Sequence, residues 1–207
     1  MEKSPQLSDA NTPTIESRVS SEGVANTSEV MFMIRPLPAK SQAEMLQLLN
    51  GIRMVADCSI PFAGEEADQI IEDLRKSGFA VIEHSKKNGV MSYCVSRDPK
   101  LAEEAINTEN MDEKRYAELM GFPATAIDAF VAGSDKLLSN KEQEKLLGFL
   151  NVFFPLRLSK EHYLEELEYL KKSYRLLLGQ APYLIGDVIH KDDAGNFMEA
   201  VTKFVTS

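Results

Sequence analysis

Two residues of this chain, Cys94 and His84, are of the types that combine in nucleophilic catalysis. An imidazole beside a thiol lowers the pKa of the thiol and makes thiolate available, so the pair would be reactive if the fold brought it together. A hairpin that turns at Asn88-Gly89 predicts the opposite, because its register pairs Glu83 with Cys94 and Tyr93 with His84. Since side chains alternate between faces, Cys94 and His84 would lie on different faces. We therefore predict a packed, inert cysteine and no catalytic residue.

The longest predicted helix opens with side chains that bind metal ions in helical bundles, namely Glu161, His162, Glu165 and Glu166. The four-residue step from His162 to Glu166 puts both groups on one helix face. Carboxylate-bridged metal sites need a matching set from a second helix, and no other predicted helix carries a Glu/His pair at such a step. Acidic residues in a first turn also complement the helix dipole. We therefore predict no metal site, and the sequence identifies no cofactor.

The order of elements across residues 64–97, a helix followed by a hairpin, resembles a winged helix, in which a helix enters the DNA major groove and the hairpin contacts the backbone. The charge opposes that function, because phosphate contacts need cations and the would-be recognition helix is acidic. It carries the following charged residues: Glu65, Glu66, Asp68, Glu72, Asp73, Arg75 and Lys76. Lys86 and Lys87 at the hairpin tip are the only basic spot nearby in sequence. We expect that nucleic acid is not a partner and that this module faces a protein or is structural.

Five residues are the candidates for a binding site. His84, Tyr93 and Cys94 could line a pocket on the hairpin, and Lys86 and Lys87 could make a contact at its tip. We predict a protein-interaction or ligand-binding module without catalysis, because the sequence contains no phosphate loop and no nucleophile elbow. Two alternatives stay open: an enzyme whose groups converge only in the folded chain, and a winged-helix regulator. The expected partner is another protein.

Composition narrows the class of protein. Of the 207 residues, 43% are hydrophobic, which is enough for a sizeable core, and the formal charge of -9 disfavours non-specific binding to nucleic acid or anionic membranes. Two cysteines, Cys58 and Cys94, are too few for a disulfide framework and suit a reducing compartment. No window has the roughly 18 to 20 apolar residues that cross a bilayer, and the N-terminus lacks the pattern of a signal peptide. We predict a cytoplasmic protein that does not enter a membrane.

Short patterns predict the first elements. Residues 1–28 are rich in Ser and Thr and contain no aromatic residue, so we predict a disordered tail. Residues 30–34 form a short apolar run that two prolines follow, which favours a buried strand over a helix. Ser41 and Glu44 have the spacing of a capping box, which predicts a helix that begins at Ser41.

The next segment contains the best-defined patterns. Residues 65–76 predict a helix with acidic residues in its first turns, basic residues in its last, and Gly78 to end it. Four apolar residues should form its buried face: Ala67, Ile70, Ile71 and Leu74. Strands over residues 79–85 and 90–97 then make the hairpin.

The rest of the chain has helical patterns throughout. We predict helices over these ranges: 99–107, 111–120, 124–131, 160–178, 183–190 and 196–205. Ser139 and Glu142 form a second capping box before a further helix. The predicted fold class is α+β and predominantly α-helical, with a small antiparallel sheet whose β-hairpin packs on several helices. Residues 29–207 should form one domain, with subregions 29–97 and 98–207.

Residues 116–130 resemble a segment of an uncharacterised family of prokaryotic proteins. In that family a glycine is followed by an aromatic-proline step, paired cysteines and a phenylalanine, which Gly121-Phe122-Pro123 and Phe130 match here. Thr125 and Ala126 stand where the cysteines would be, so the resemblance implies no thiol or metal role for this pair. It implies a shared helical scaffold and no particular activity.

Overall fold

Helices surround one small sheet in the described part of the chain, which comprises residues 26–61, 64–87, 89–108, 112–188 and 191–207 of this computed structural model. The elements have these bounds: α1 (Thr27–Met33), α2 (Ala39–Leu49), β1 (Ala56–Ile60), α3 (Glu65–Lys76), β2 (Ala80–Lys87), β3 (Val90–Ser96), α4 (Pro99–Thr108), α5 (Glu113–Leu119), α6 (Ala124–Ala132), α7 (Asn140–Leu147), α8 (Tyr163–Gln180), α9 (Tyr183–Val188) and α10 (Lys191–Thr206). The predicted α+β class, predominantly helical with a small antiparallel sheet, is confirmed. Of the helices described, none is both long and apolar enough to cross a membrane.

Helix α1 occupies the residues for which we predicted a strand, so that prediction is wrong. Asn26 caps the helix: its side chain accepts a hydrogen bond from the Ser28 amide at 2.9 Å, and its own amide donates to Glu29 at 3.1 Å. Val30 and Ile34, four residues apart, are fully buried on one face. A helix of 7 residues fits before the two prolines that had favoured a strand. It also takes in the end of the predicted tail, whose residues 1–25 lie outside the described residues.

Helix α2 lies inside the protein, with every residue from 41 to 48 buried. It begins at Ala39, directly after Pro38, so the predicted capping box of Ser41 and Glu44 is wrong. Four side chains of the buried segment are polar or charged, and burial makes each of them costly unless a neighbouring element supplies a partner. The local pattern at the helix start is therefore overridden by tertiary contacts.

Two of these side chains close the outer edge of the sheet. The amide of Ser59 donates to Ser41 Oγ, and the amide of Asp57 donates to Glu44 Oε2, each at 3.0 Å. Both amides belong to β1, which pairs with β3 on its other side and is the edge of the sheet among the described residues. An edge strand would otherwise expose these unpaired donors, so α2 replaces the missing neighbouring strand.

The other two polar side chains of α2 bind the helices around it. Gln42 donates to the Leu37 carbonyl at 2.7 Å and accepts a hydrogen bond from the Tyr183 hydroxyl at 2.9 Å. Gln47 donates to Ser173 Oγ at 2.8 Å. These bonds connect α2 to the segment that precedes it, to α9 and to α8.

Arg53 is the buried counter-ion of Glu44. Its Nη1 lies 2.8 Å from Glu44 Oε2, and both side chains are at most 4% exposed. The guanidinium also lies over the ring of Phe122, 5.8 Å from the centroid. Because Glu44 accepts a hydrogen bond from β1 as well, one carboxylate joins α2, the sheet edge and the segment between them.

The segment that carries Arg53 also supports the corner between α5 and α6. The amide of Val55 donates to the Leu119 carbonyl at 3.2 Å. Gly121 turns the corner with φ of +74°, and its Cα lies against the carbonyl of Ile52. A Cβ at Gly121 would overlap that oxygen and lie 2.9 Å from the Cα of Arg53.

The three strands have the order β1-β3-β2 and are antiparallel. Lys87 pairs with Val90, as the two-residue turn predicts. Gly89 has the positive φ, +80°, that this turn requires, and Asn88 lies outside the described residues. The predicted hairpin is confirmed.

A β-bulge at His84 shifts the register by one residue along the rest of the hairpin. Glu83 pairs with Tyr93 and Ile82 pairs with Cys94, so the predicted pairs of His84 with Tyr93 and of Glu83 with Cys94 are wrong. One extra residue reverses which side chains share a face, because faces alternate residue by residue. The turn therefore predicts the register only as far as the bulge.

Helix α3 has the predicted bounds, Glu65–Lys76, and Gly78 follows it with φ of +85°. Its buried residues are the predicted ones: Ala67, Ile70, Ile71 and Leu74. Its solvent face keeps the acidic character, with Glu65, Glu66 and Glu72 all exposed.

The helices predicted after the hairpin are found, with bounds that differ by a few residues. The capping box at Ser139 is confirmed, with Glu142 Oε2 accepting from the Ser139 amide at 2.9 Å. The main buried cluster draws on both predicted subregions, from Val30 to Val205. A second, smaller cluster covers the other face of the sheet and contains Val55, Cys94, Ala105, Leu119 and Met120.

Aromatic rings fill the main core around α8. Tyr174 packs edge to face on Phe154, with ring centroids 5.1 Å apart, and Phe153 packs on Phe197 at 6.1 Å. The Tyr174 hydroxyl donates to the Leu150 carbonyl, and burial raises the pKa of this tyrosine. The long helix is therefore held by aromatic packing as well as by its hydrogen bonds to neighbouring elements.

Replacing Arg53 with methionine should leave Glu44 buried without its counter-ion and lower the free energy of unfolding by about 3 to 5 kcal/mol. Lys40→Met is the matched control, because Lys40 lies 3.9 Å from the same carboxylate but is 63% exposed. Because the Lys40 ammonium stays in solvent, we expect this pair to contribute at most about 1 kcal/mol. Urea denaturation followed by circular dichroism measures both variants. Equal losses would contradict a structural role for the buried pair.

Gly121→Ala should destabilise the protein more than Gly51→Ala. Both glycines have a left-handed backbone, with φ of +74° and +67°, which costs alanine about 1 to 2 kcal/mol at either position. A Cβ at Gly121 also meets the backbone of residues 52 and 53, whereas at Gly51 no described atom lies within 4 Å. We expect an additional loss of at least about 2 kcal/mol for Gly121→Ala, measured by urea denaturation. Similar losses would show that the corner relaxes without strain.

Candidate functional site

His84 and Cys94 share one face of the sheet with Asp57, so the prediction that they lie on different faces is wrong. His84 Nε2 lies 3.3 Å from Asp57 Oδ1. The His84 side chain is 10% exposed and the Asp57 side chain 33%. Asp57 on β1 is the direct cross-strand partner of Cys94 on β3. The bulge at His84 is what moves the imidazole to the face of Cys94.

These three side chains line a small cavity between the sheet and helices α4 and α5, here called the sheet-face cavity. Its other lining residues come from the two helices and from the residue that follows α5: Ala105, Ile106, Tyr116 and Met120. The cavity has a volume of about 10 Å³, which is room for about one water molecule. Titratable groups lie beside a largely apolar wall here, and a substrate larger than water does not fit.

Tyr93 and the hairpin lysines do not join this cavity. Tyr93 is buried on the other face, opposite Cys58, where burial and then the charge of Glu83 raise its pKa. Lys86 and Lys87 are exposed near the turn. The structure thus brings together two of the five residues that we predicted for binding and separates the other three.

Cys58 differs from Cys94 in its surroundings. Its side chain is almost completely buried in the main core. Burial, with a further contribution from the charges of Glu44 and Asp57, raises the pKa of its thiol well above the usual value. Cys58 is therefore an inert core residue at neutral pH.

The residues considered for a metal site do not converge. His162 Nδ1 lies 3.9 Å from Glu165 Oε2 at the start of α8. Glu166 is fully buried instead, and its Oε2 accepts a hydrogen bond from the Ser159 amide at 2.7 Å. Across the described residues, no group of three or more His, Cys, Asp or Glu side chains is arranged to hold a metal ion.

An apolar groove lies where α5, α6 and the segment after Phe154 meet. It is lined by Ala117, Phe122, Ala126, Ile127, Phe130, Val131, Pro155 and Leu156, and by two charged residues, Glu113 and Arg157. Its volume is about 180 Å³, and it is open to solvent. Phe130 and Val131 are large apolar residues, yet they are 51% and 56% exposed.

Both walls of this apolar groove are fixed by polar contacts from elsewhere. On one side Phe122 lies under the guanidinium of Arg53, and α6 begins directly after Pro123. On the other side the Gln143 side chain donates to the Leu156 carbonyl at 2.7 Å. The same side chain accepts a hydrogen bond from the Leu158 amide at 3.1 Å. These two bonds hold the backbone of this wall in place. The groove is therefore built into the fold.

The groove is not predictable from local sequence patterns, because its two walls are distant in sequence. A signal was present in α6, where the adjacent residues Phe130 and Val131 are both large and apolar. Neighbouring positions on a helix are separated by about 100°, so a narrow buried stripe does not cover both of them. An apolar helix of this kind predicts an exposed hydrophobic face.

Comparison with protein-family models, curated proteins and solved structures finds no match for this chain. The resemblance of residues 116–130 to a prokaryotic family therefore stays a prediction.

Proposed function

We propose that this protein is a non-catalytic interaction module that binds a short amphipathic helix of another protein in the apolar groove. The observation that carries the proposal is the exposure of Phe130 and Val131, 51% and 56%, beside a preformed apolar depression. Soluble proteins rarely leave large apolar side chains next to an open groove unless a partner covers them. Helix-in-groove recognition uses such a surface, with apolar side chains of the ligand as anchors.

The size of the groove favours a peptide over a small molecule. Sites for drug-sized ligands and cofactors enclose about 300 to 1,000 Å³, and this groove has about 180 Å³. That volume suits one or two anchoring side chains of a helix. Its ten lining residues are also fewer than the roughly 20 to 30 residues that each subunit contributes to the interface of a stable dimer. A short segment of another chain is therefore the occupant that fits.

The two charged residues of the groove would set the direction in which a partner helix lies in it. Glu113 and Arg157 are both exposed and have opposite signs. A partner helix with a cation near one end of its apolar stripe and a carboxylate near the other would satisfy both. The net charge of -9 disfavours a strongly acidic partner, so we expect a segment with a neutral or positive net charge.

The alternative functions have less support. An enzyme needs a site in which a substrate meets titratable groups, and the sheet-face cavity has room for about one water. A winged-helix regulator needs a basic recognition helix, and the exposed face of α3 carries Glu65, Glu66 and Glu72.

A peptide selection tests the proposal. A phage-displayed library of random peptides is panned on the wild type, and the enriched peptides are synthesised and titrated by fluorescence anisotropy. We expect apolar, amphipathic peptides whose Kd rises at least about ten-fold in Phe130→Asp, because loss of a central anchor costs about 1.4 kcal/mol or more.

Phe32→Asp is the matched control. Phe32 is 78% exposed on α1, outside the groove, so this variant carries the same change in polarity and charge and should bind the peptides with unchanged Kd. Failure to enrich any peptide, or equal binding by wild type and Phe130→Asp, would contradict the proposal. A dimer that light scattering detects in the wild type but not in Phe130→Asp would make a second copy the occupant and would also contradict it.

A further inference from the structure

One wall of the apolar groove, formed by residues 155–157, is bonded along one edge of its backbone by a single side chain. Gln143 Nε2 donates to the Leu156 carbonyl at 2.7 Å, and Gln143 Oε1 accepts from the Leu158 amide at 3.1 Å. A residue of a parallel β-strand bonds its neighbour in the same way, through the carbonyl of one residue and the amide two positions later. The carboxamide of Gln143 therefore takes the place of a neighbouring strand on this edge.

The backbone groups of Arg157 form the other edge. In a chain bonded in this way, successive residues direct their N–H and C=O groups to opposite sides, so those of Arg157 point away from Gln143. Arg157 lines the groove and Gln143 is not among its lining residues, which places this edge on the groove side. Arg157 is exposed, and within the described part of the chain neither its amide nor its carbonyl has a hydrogen-bond partner. The groove thus offers one donor and one acceptor of the main chain.

This open edge is one residue long. Pro155, two positions before Arg157, has no amide proton. The amide of Ser159, two positions after it, already donates to Glu166 Oε2 at 2.7 Å. A partner strand pairs with a row of such groups, as at the edge of a sheet. The edge at Arg157 therefore suits one side chain better than a strand.

The side chain that fits must carry a donor and an acceptor next to each other. Carboxylates have acceptors alone, ammonium and guanidinium groups have donors alone, and a hydroxyl has both on a single atom. A carboxamide has an oxygen and an NH₂ group on one carbon. Gln143 shows on the opposite edge that a carboxamide satisfies this backbone. Asparagine and glutamine are therefore the residue types that match Arg157.

We propose that the partner helix carries an asparagine or glutamine whose carboxamide accepts a hydrogen bond from the Arg157 amide and donates one to the Arg157 carbonyl. This inference rests on the proposed function, because it adds a second contact in the same groove. Phe130 and Arg157 both line the groove, so the amide residue lies three or four positions from an apolar anchor, on the same helix face. The anchors provide affinity, and the carboxamide discriminates among amphipathic helices.

The peptides that the wild type enriches from the random library are the probes. We expect them to carry asparagine or glutamine three or four positions from an apolar anchor. Replacing this residue with leucine, which is similar in size but has no polar group, should raise the Kd at least about five-fold, because two hydrogen bonds are lost. The control peptide has leucine two positions further on, which is on the other helix face, and should bind with unchanged Kd. Fluorescence anisotropy measures all three peptides.

Arg157→Ala separates the main chain from the guanidinium, because it keeps the amide and the carbonyl. Whatever the Kd of this variant, the leucine replacement in the peptide should raise it by the same factor as in the wild type. Hydrogen exchange of the Arg157 amide in the wild type measures the contact directly. At saturating peptide, it should be at least about five-fold slower with the carboxamide peptide than with its leucine variant.

Four results would overturn the inference alone, provided that peptide binding still depends on Phe130. They are enriched peptides without asparagine or glutamine, an equal Kd for the leucine variant, a penalty that disappears in Arg157→Ala, and equal exchange of the Arg157 amide with the two peptides. Failure to enrich any peptide would instead remove the proposed function, and this inference with it.

Discussion

The constraint on which the structure depends is the burial of a polar helix. Residues 41 to 48 of α2 are all buried, and four of them are polar or charged. An enclosed helix cannot leave such groups to water, so each binds a neighbouring part of the chain. Ser41 and Glu44 bind the edge of β1, Gln42 binds the segment before α2 and helix α9, and Gln47 binds helix α8. The helices and the sheet are thus held in relation to one another by directional contacts in addition to apolar packing.

Arg53 extends this network towards the apolar groove. It neutralises Glu44 on one side and lies over Phe122 on the other, 5.8 Å from the ring centroid. The backbone of Ile52 and Arg53 lies in close contact with Gly121. The Val55 amide donates a hydrogen bond to the Leu119 carbonyl, at the corner between α5 and α6. The groove and the sheet edge therefore share one support. We expect that the groove is preformed, which lowers the entropic cost of binding a partner segment.

Local patterns predicted the elements whose determinants are local. The bounds and buried face of α3 and the capping box at Ser139 followed from spacing within a few residues. The same spacing at Ser41 gave a wrong prediction, because the side chains of Ser41 and Glu44 do not cap the helix. They accept hydrogen bonds from backbone amides of β1 instead. The bulge at His84 has no local signal, and it alone decides that the imidazole faces Cys94. The groove needs residues from α6 and from residues 155–157, so no single window reveals it.

Amide hydrogen exchange, resolved by residue in NMR spectra of the wild type and of Arg53→Met, tests most directly whether one buried pair supports both the sheet edge and the groove corner. The amides to follow are those of Asp57, which donates to Glu44, and of Val55, which donates to Leu119. We expect both to lose more protection in the variant than amides of the β2–β3 ladder. A uniform loss across the chain, or a loss confined to Asp57, would contradict the shared support.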